Sequence, residues 1–300
     1  MSEWITARER GSTRAIRFMI RLCQRRHRWL VNLLLHPISA YFFITGRAAH
    51  RASRHFFRRA KGQARGSDYY RQLLCFSHCL VDRVTILNGG ADRFRINSSG
   101  RETLMQARRE DRGLILLGSH LGSFEACKLL ASEHMDLDIH IVAYYAGSGK
   151  IREALDAINP GLQQHIIDPT EPDAVFRMRD VIDSGGILAL LGDRTGIGEK
   201  TASVDFLGEQ ASLPTGPYYL AAILHCPVFC FFGLRVGDYA YDTYAIKLAD
   251  RIKLARGQRA QQAQACAQQF ADLLATKARE YPYTWFNFYE FWNLPDDASL

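Results

Sequence analysis

His120 and Glu125 lie in the stretch GLILLGSHLGSFEACKLL, residues 113–130. A histidine and a carboxylate placed together can move a proton: the imidazole accepts it, and the carboxylate fixes the tautomer and stabilises the imidazolium. Inside one regular helix, five residues would turn the two side chains roughly 140° apart. They meet only if His120 precedes a helix and Glu125 occupies its first turn. The flanking residues fit that arrangement. Leu114–Leu117 is an apolar run suited to a buried strand, Gly118-Ser119 breaks it, and Phe124, Cys127 and Leu129/Leu130 recur at helical spacing. Gly122 and Ser123 supply a bend and an N-cap. Free N–H groups at that helix start would suit a developing oxyanion. A lone histidine near a glutamate is most often structural, so the pair alone leaves both readings open.

A second block, GGILALLGDRTGIGEK, repeats the pattern. An apolar strand over 187–191 ends at Gly192, and Asp193-Arg194 emerge at the same kind of edge as His120. Parallel strands would put both pairs on one rim, where open α/β sheets hold ligands. Arg194 suits a phosphate; the plainer alternative is an Asp–Arg salt bridge closing a loop. Gly196-x-Gly198 lacks the Lys-Ser/Thr of a phosphate loop. No Gly-x-Ser-x-Gly elbow and no Cys–His pair offers a nucleophile. The seven cysteines form no repeated pairs, and Cys75-x3-Cys79 beside His78 lacks the second pair of a zinc site. We therefore assign no metal, and reduced thiols imply a cytoplasmic face.

The block GSHLGSFEA resembles the first motif, His-x4-Asp/Glu, of the lysophospholipid acyltransferase superfamily. Its Glu form resembles the late lipid A acyltransferase branch of lauroyl and myristoyl transferases. The resemblance runs over roughly residues 70–292. Asp193-Arg194 resembles the family's strand-end motif, followed by a Phe-x-Gly turn (Phe206, Leu207, Gly208) and a helix opening at Pro214-Thr215-Gly216. Pro282 and Trp285 resemble its closing Pro-x-x-Trp segment. The resemblance implies His120 and Glu125 as the catalytic pair. It implies Asp193, Arg194, Gly122, Ser123, Phe206, Gly208 and Thr215 as substrate-binding residues. The implied reaction moves a fatty or polyenoyl chain from an acyl carrier protein thioester to a lipid hydroxyl, with no metal and no cofactor beyond that co-substrate. Two departures bear on the acceptor. The Glu-Gly-Thr-Arg block of the glycerol-phosphate branch is absent. Where the lipid A branch usually has an arginine, this chain reads Tyr144-Tyr145, with Lys150 and Arg152 further on. In this it resembles the acyltransferases found with aryl-polyene pigment pathways. Acyl-CoA-dependent acylation of a lysophospholipid or ornithine-type lipid, and a catalytically silent membrane-surface module, are the alternative readings.

The elements that must position these residues form an α/β pattern from about residue 92. Strands are expected at 92–97, 114–118, 138–144, 164–168, 187–191, 227–233 and 243–249, and helices at 100–109, 123–134, 149–158, 172–184, 215–225 and 258–280. Such alternation implies a mixed, mostly parallel central sheet flanked by helices, and Gly237-Asp238 marks an antiparallel hairpin. The aromatic segment YPYTWFNFYEFW, residues 281–292, suits core packing or the lining of an acyl pocket.

Charge divides the chain. Residues 1–72 hold 16 Lys/Arg against Glu3, Glu9 and Asp68, a balance of +13; the remainder holds 22 against 28 acids, or −6. A basic head on a mildly acidic body suits an anionic lipid surface and an acidic carrier protein. Nucleic acid is not indicated, because interleaved aromatics and binding motifs are missing. Residues 29–46 carry no Lys, Arg, Asp or Glu, at the lower limit for a span, and Pro37 should break or kink a helix there. The expectation is a basic, membrane-associated helical region over 1–66, containing an embedded or interfacial hairpin. An α/β acyltransferase domain over 67–300 follows, at the cytoplasmic face of the inner membrane. A basic helix packed on the protein's own body is the other reading of the head.

Overall fold

The computed structural model describes residues 13–24, 28–109, 113–124, 126–128, 131, 137–143, 165–195 and 200–292. The first helices are α1 (Thr13–Gln24), α2 (Arg28–Thr45), α3 (Arg47–Lys61) and α4 (Gly66–Leu87). Then come β1 (Arg95–Ser99), α5 (Arg101–Arg109), β2 (Leu114–Gly118), β3 (Ile139–Val142), β4 (Ile166–Ile167), α6 (Ala174–Asp183) and β5 (Ile187–Leu191). The chain continues with β6 (Thr201–Phe206), β7 (Glu209–Pro214), α7 (Gly216–Leu224), β8 (Val228–Gly237), β9 (Ala240–Ala249) and α8 (Arg259–Glu280). Seven strands form one sheet in the order β1-β9-β8-β2-β5-β3-β4. Only the β8–β9 hairpin pairs antiparallel; every other neighbour in it is parallel.

The apolar runs explain this order. Every residue of β2 is buried, as a strand with neighbours on both edges and helices on both faces requires. Alternate side chains enter different cores. Ile115, Leu117, Leu188 and Leu190 pack with Phe270 and Leu274 of α8, and Leu114, Leu116, Ile187 and Ala189 pack with Leu104, Phe124 and Phe229. The expected strands at 114–118 and 187–191 therefore stand where the sequence reading put them. The first strand begins at Arg95 rather than at 92, since Ala91–Arg93 is a 3-10 turn. The expected helix at 149–158, with Tyr144-Tyr145, Lys150 and Arg152, lies outside the described residues. The sequence reading missed the separate antiparallel pair β6–β7. Its turn uses Leu207 at φ 58 and Gly208 at φ 86, a two-residue link that suits strand twist.

The basic head differs from expectation in one respect. Helix α2 runs through Pro37 to Thr45, and the chain turns instead at Gly46. A Cβ on Gly46 would lie 2.7 Å from the Tyr69 hydroxyl and 2.6 Å from the Phe42 carbonyl oxygen, so close packing on α4 demands glycine there. Among the described residues, no single helix is long and apolar enough to cross a membrane; α2 and α3 satisfy that test only as a pair bent by 93°. Helix α3 buries Phe56 and Phe57 in the main core, as the body-packed reading of the head expects. By contrast α2 leaves Trp29, Leu33, Tyr41 and Ile44 exposed. Their spacing places them on one face of the helix.

Candidate active site

His120 follows β2 by two residues and Asp193 follows β5 by two, and β2 and β5 pair in parallel with Gly118 opposite Leu191. The register thus delivers both residues to the same rim. There the Asp193 carboxylate accepts two hydrogen bonds from one residue, the His120 backbone N–H at 2.8 Å and ring Nδ1 at 2.9 Å. The acid is 1 % exposed and the imidazole 24 %, so a buried anion holds a ring that still reaches solvent. With Nδ1–H given to the carboxylate, Nε2 is the basic nitrogen, and among the described residues it carries no hydrogen bond. Burial by itself would push the Asp193 carboxyl up. The His120 ring, its hydrogen bonds and the Arg194 guanidinium outweigh burial and hold the acid below the ordinary carboxylate value.

The loop carrying His120 is stitched from two sides. Phe286 N–H donates to the His120 carbonyl at 2.8 Å, and Gly122 N–H donates to Thr284 O at 2.7 Å. Ser123 N–H donates to Gly233 O of β8 at 2.8 Å. Gly122 sits at φ +87, and a Cβ there would fall 2.1 Å from the Gly233 oxygen, so only glycine lets the loop close on β8. Ser123 caps the following helix, its Oγ accepting the Ala126 N–H at 3.3 Å. The expected free N–H groups are therefore partly spent: those of Gly122 and Ser123 are committed to the body of the protein.

Arg194 joins the same constellation through Phe286, donating to its carbonyl oxygen at 3.2 Å and lying 5.4 Å from the Tyr289 ring centre. One residue of the aromatic C-terminal segment thus touches both His120 and Arg194. Phe206 is fully buried against Trp285, Phe291 and Trp292 and anchors that segment. Gly208 forms the β6–β7 turn, accepting no side chain and donating its N–H to Asp205 Oδ1 at 3.1 Å. The Thr215 hydroxyl is spent on the Lys200 carbonyl at 3.0 Å. Glu125 lies outside the described residues. Sequence reasoning placed Asp193 on the right rim but missed its hold on His120; two strand ends in parallel register were the available signal.

A family model described as bacterial lipid A biosynthesis acyltransferase matches residues 81–293, a span that includes every residue of this rim. The chain belongs to this family. It is accordingly an acyltransferase that acts on a lipid acceptor, and membership goes with association to a membrane. No curated protein matches the chain. In this acyltransferase the family match ends just beyond Trp292, whose indole N–H donates to Phe206 O at 3.1 Å; the matched region thus contains the whole aromatic closure.

Proposed function

We propose that the acyltransferase moves a fatty or polyenoyl chain from an acyl carrier protein thioester to a hydroxyl of a lipid acceptor, either lipid A-like or of the aryl-polyene type. His120 Nε2 takes the proton from the acceptor hydroxyl as general base. The resulting alkoxide oxygen attacks the thioester carbonyl, the C–O bond forms, the C–S bond breaks, and the imidazolium returns the proton to the departing thiolate. The observation that carries this reading is the 2.9 Å contact of Nδ1 with a buried carboxylate, which leaves Nε2 as the base. Asp193 orients the ring. Glu125 is proposed as a second carboxylate of the pair, on the strength of the motif. Arg194 holds a phosphate of the acceptor or of the donor's pantetheine arm.

In this proposal the protein works at the cytoplasmic surface of the inner membrane, with anionic lipid and the acidic carrier as partners; the exposed face of α2 and the arginines around it support that reading. The test of the reaction is acyl transfer by purified wild type and by His120→Ala, matched for folding by circular dichroism. Loss of transfer in the variant supports the reading. Equal, non-zero rates would remove His120 from the mechanism, and transfer from coenzyme A but not from the carrier protein would replace the donor.

A further inference from the structure

Beside the rim, among the described residues, lies a cavity of about 280 Å³, walled chiefly by Leu104, Leu116, Phe124, Leu137, Ile139 and Phe231. Strand register fixes its course. Thr243 pairs with Gly233, and Gly233 bridges Gly122. Thr243 and its hydrogen-bond partner Ser98, 2.8 Å away, therefore line the cavity at the height of the histidine loop. At the other end Ile139 pairs with Ile187, which pairs with Leu114 at the start of β2. The cavity thus descends by at least the four-residue rise of β2, roughly 13 Å. A volume this small over such a descent makes it a slot for a chain, not for a bulky headgroup.

Two cations line its wall: Arg101, which is exposed, and Lys128, which is buried where a hydrocarbon slot should not hold a charge. Lys128, one helical turn after Phe124, lines the cavity, is 8 % exposed, and makes no hydrogen bond among the described residues. Burial pushes the ammonium down to about 8, while Asp138, next to Ile139 at the far end of the slot, attracts its charge and Arg83 repels it. A saturated tail filling the slot would strip water from this cation and offer nothing in return, which is costly. A tail ending in an oxygen acceptor would satisfy it.

We propose that Lys128 is a specificity-determining residue, and that the slot prefers acyl chains bearing a hydrogen-bond-accepting oxygen at or near the end remote from the thioester. A hydroxyl, a phenol or a carboxylate would serve. The proposal rests on the acyl-transfer reading only for taking the ligand to be an acyl thioester.

The experiment compares two N-acetylcysteamine thioesters, dodecanoyl and ω-hydroxydodecanoyl, whose identical heads cancel in the comparison. Binding to the full-length protein is measured by titration calorimetry, corrected for partition into detergent. Wild type should bind the ω-hydroxy thioester about tenfold or more tightly, the worth of a hydrogen bond to a charged group. Lys128→Met should abolish or reverse that preference. Ala131→Phe, which narrows the slot without removing the ammonium, should weaken both ligands. His120→Ala should leave the preference between the two ligands intact, whatever it does to each affinity, which separates this proposal from the reaction: failed transfer with the preference intact sinks the chemistry alone. Equal binding by wild type, or a preference that survives in a folded Lys128→Met, overturns the role of Lys128.

Discussion

Asp82 and Asp193 are both almost wholly buried beside a nitrogen donor, at 0 % and 1 % exposure, yet the two sites differ in what that donor can do. Asp82 on α4 receives Arg28 of α2 at 2.5 Å, Arg235 of β8 at 2.8 Å and the Tyr241 hydroxyl of β9 at 3.0 Å. Its two arginine partners are permanently charged, and burial holds the Tyr241 hydroxyl in its neutral form by raising it well above its ordinary value, so that cluster ties four elements together without exchanging a proton. Asp193 receives a histidine whose second ring nitrogen is left without a hydrogen-bond partner among the described residues and whose ring stays partly in solvent. Burial of the acid is common to both; whether its partner has a nitrogen able to accept a proton separates a clamp from a site of proton transfer.

The largest expected effect is on the second site. His120→Ala should lower acyl transfer on the order of 10²–10⁴-fold with the melting temperature nearly unchanged. Asp82→Ala should do the reverse. Two mostly buried arginines lose their counter-charge, and unfolding in urea should show a loss of roughly 3–5 kcal/mol with little change in transfer per folded molecule. If Asp82→Ala abolished transfer without loss of stability, the contrast would collapse.

Asp193→Asn should sharpen it. Transfer should fall on the order of 10²–10³-fold, since the amide no longer stabilises the imidazolium. It should also change the acid limb of stability. The Asp193 carboxyl is held below its ordinary value of 3.8 in the folded protein. Its contribution is therefore fully present above that value and is lost as pH falls through the lower, folded-state value. Equilibrium unfolding between pH 5 and pH 2, estimated as the window spanning that range, should be less steep in the variant than in wild type. Smaller still, Arg194→Ala should raise the apparent KM for a phosphorylated substrate with kcat less affected, as steady-state kinetics would show.

Much of this contrast was legible before the structure. The runs Leu114–Leu117 and Ile187–Leu191 read as buried strands because nothing polar interrupts them, and their polar ends located the rim. What could not be read was the contact across 73 residues that puts Asp193 on Nδ1; spacing places two residues on an edge but does not aim side chains. The β6–β7 pair was missed although Ala202, Val204 and Phe206 alternate with polar residues, because its strands lie outside the main sheet. Pro37 misled, since its ring is accommodated on the exposed side of α2 and the bend is dictated by packing at Gly46. Lys128 sits in a helix that reads as amphipathic, and only the closeness of β3 and β8 shows it facing inward.

The backbone of Phe286 grips the histidine loop on one side and Arg194 on the other, and it belongs to the last described stretch of the chain. During synthesis, all nine described strands leave the ribosome before Phe286 does. A nascent chain can therefore assemble its sheet and bring His120 to Asp193 while the histidine loop and Arg194 still lack their common backbone partner. A stop after α8 would leave every described strand in place and strip the histidine loop and Arg194 of the backbone that joins them.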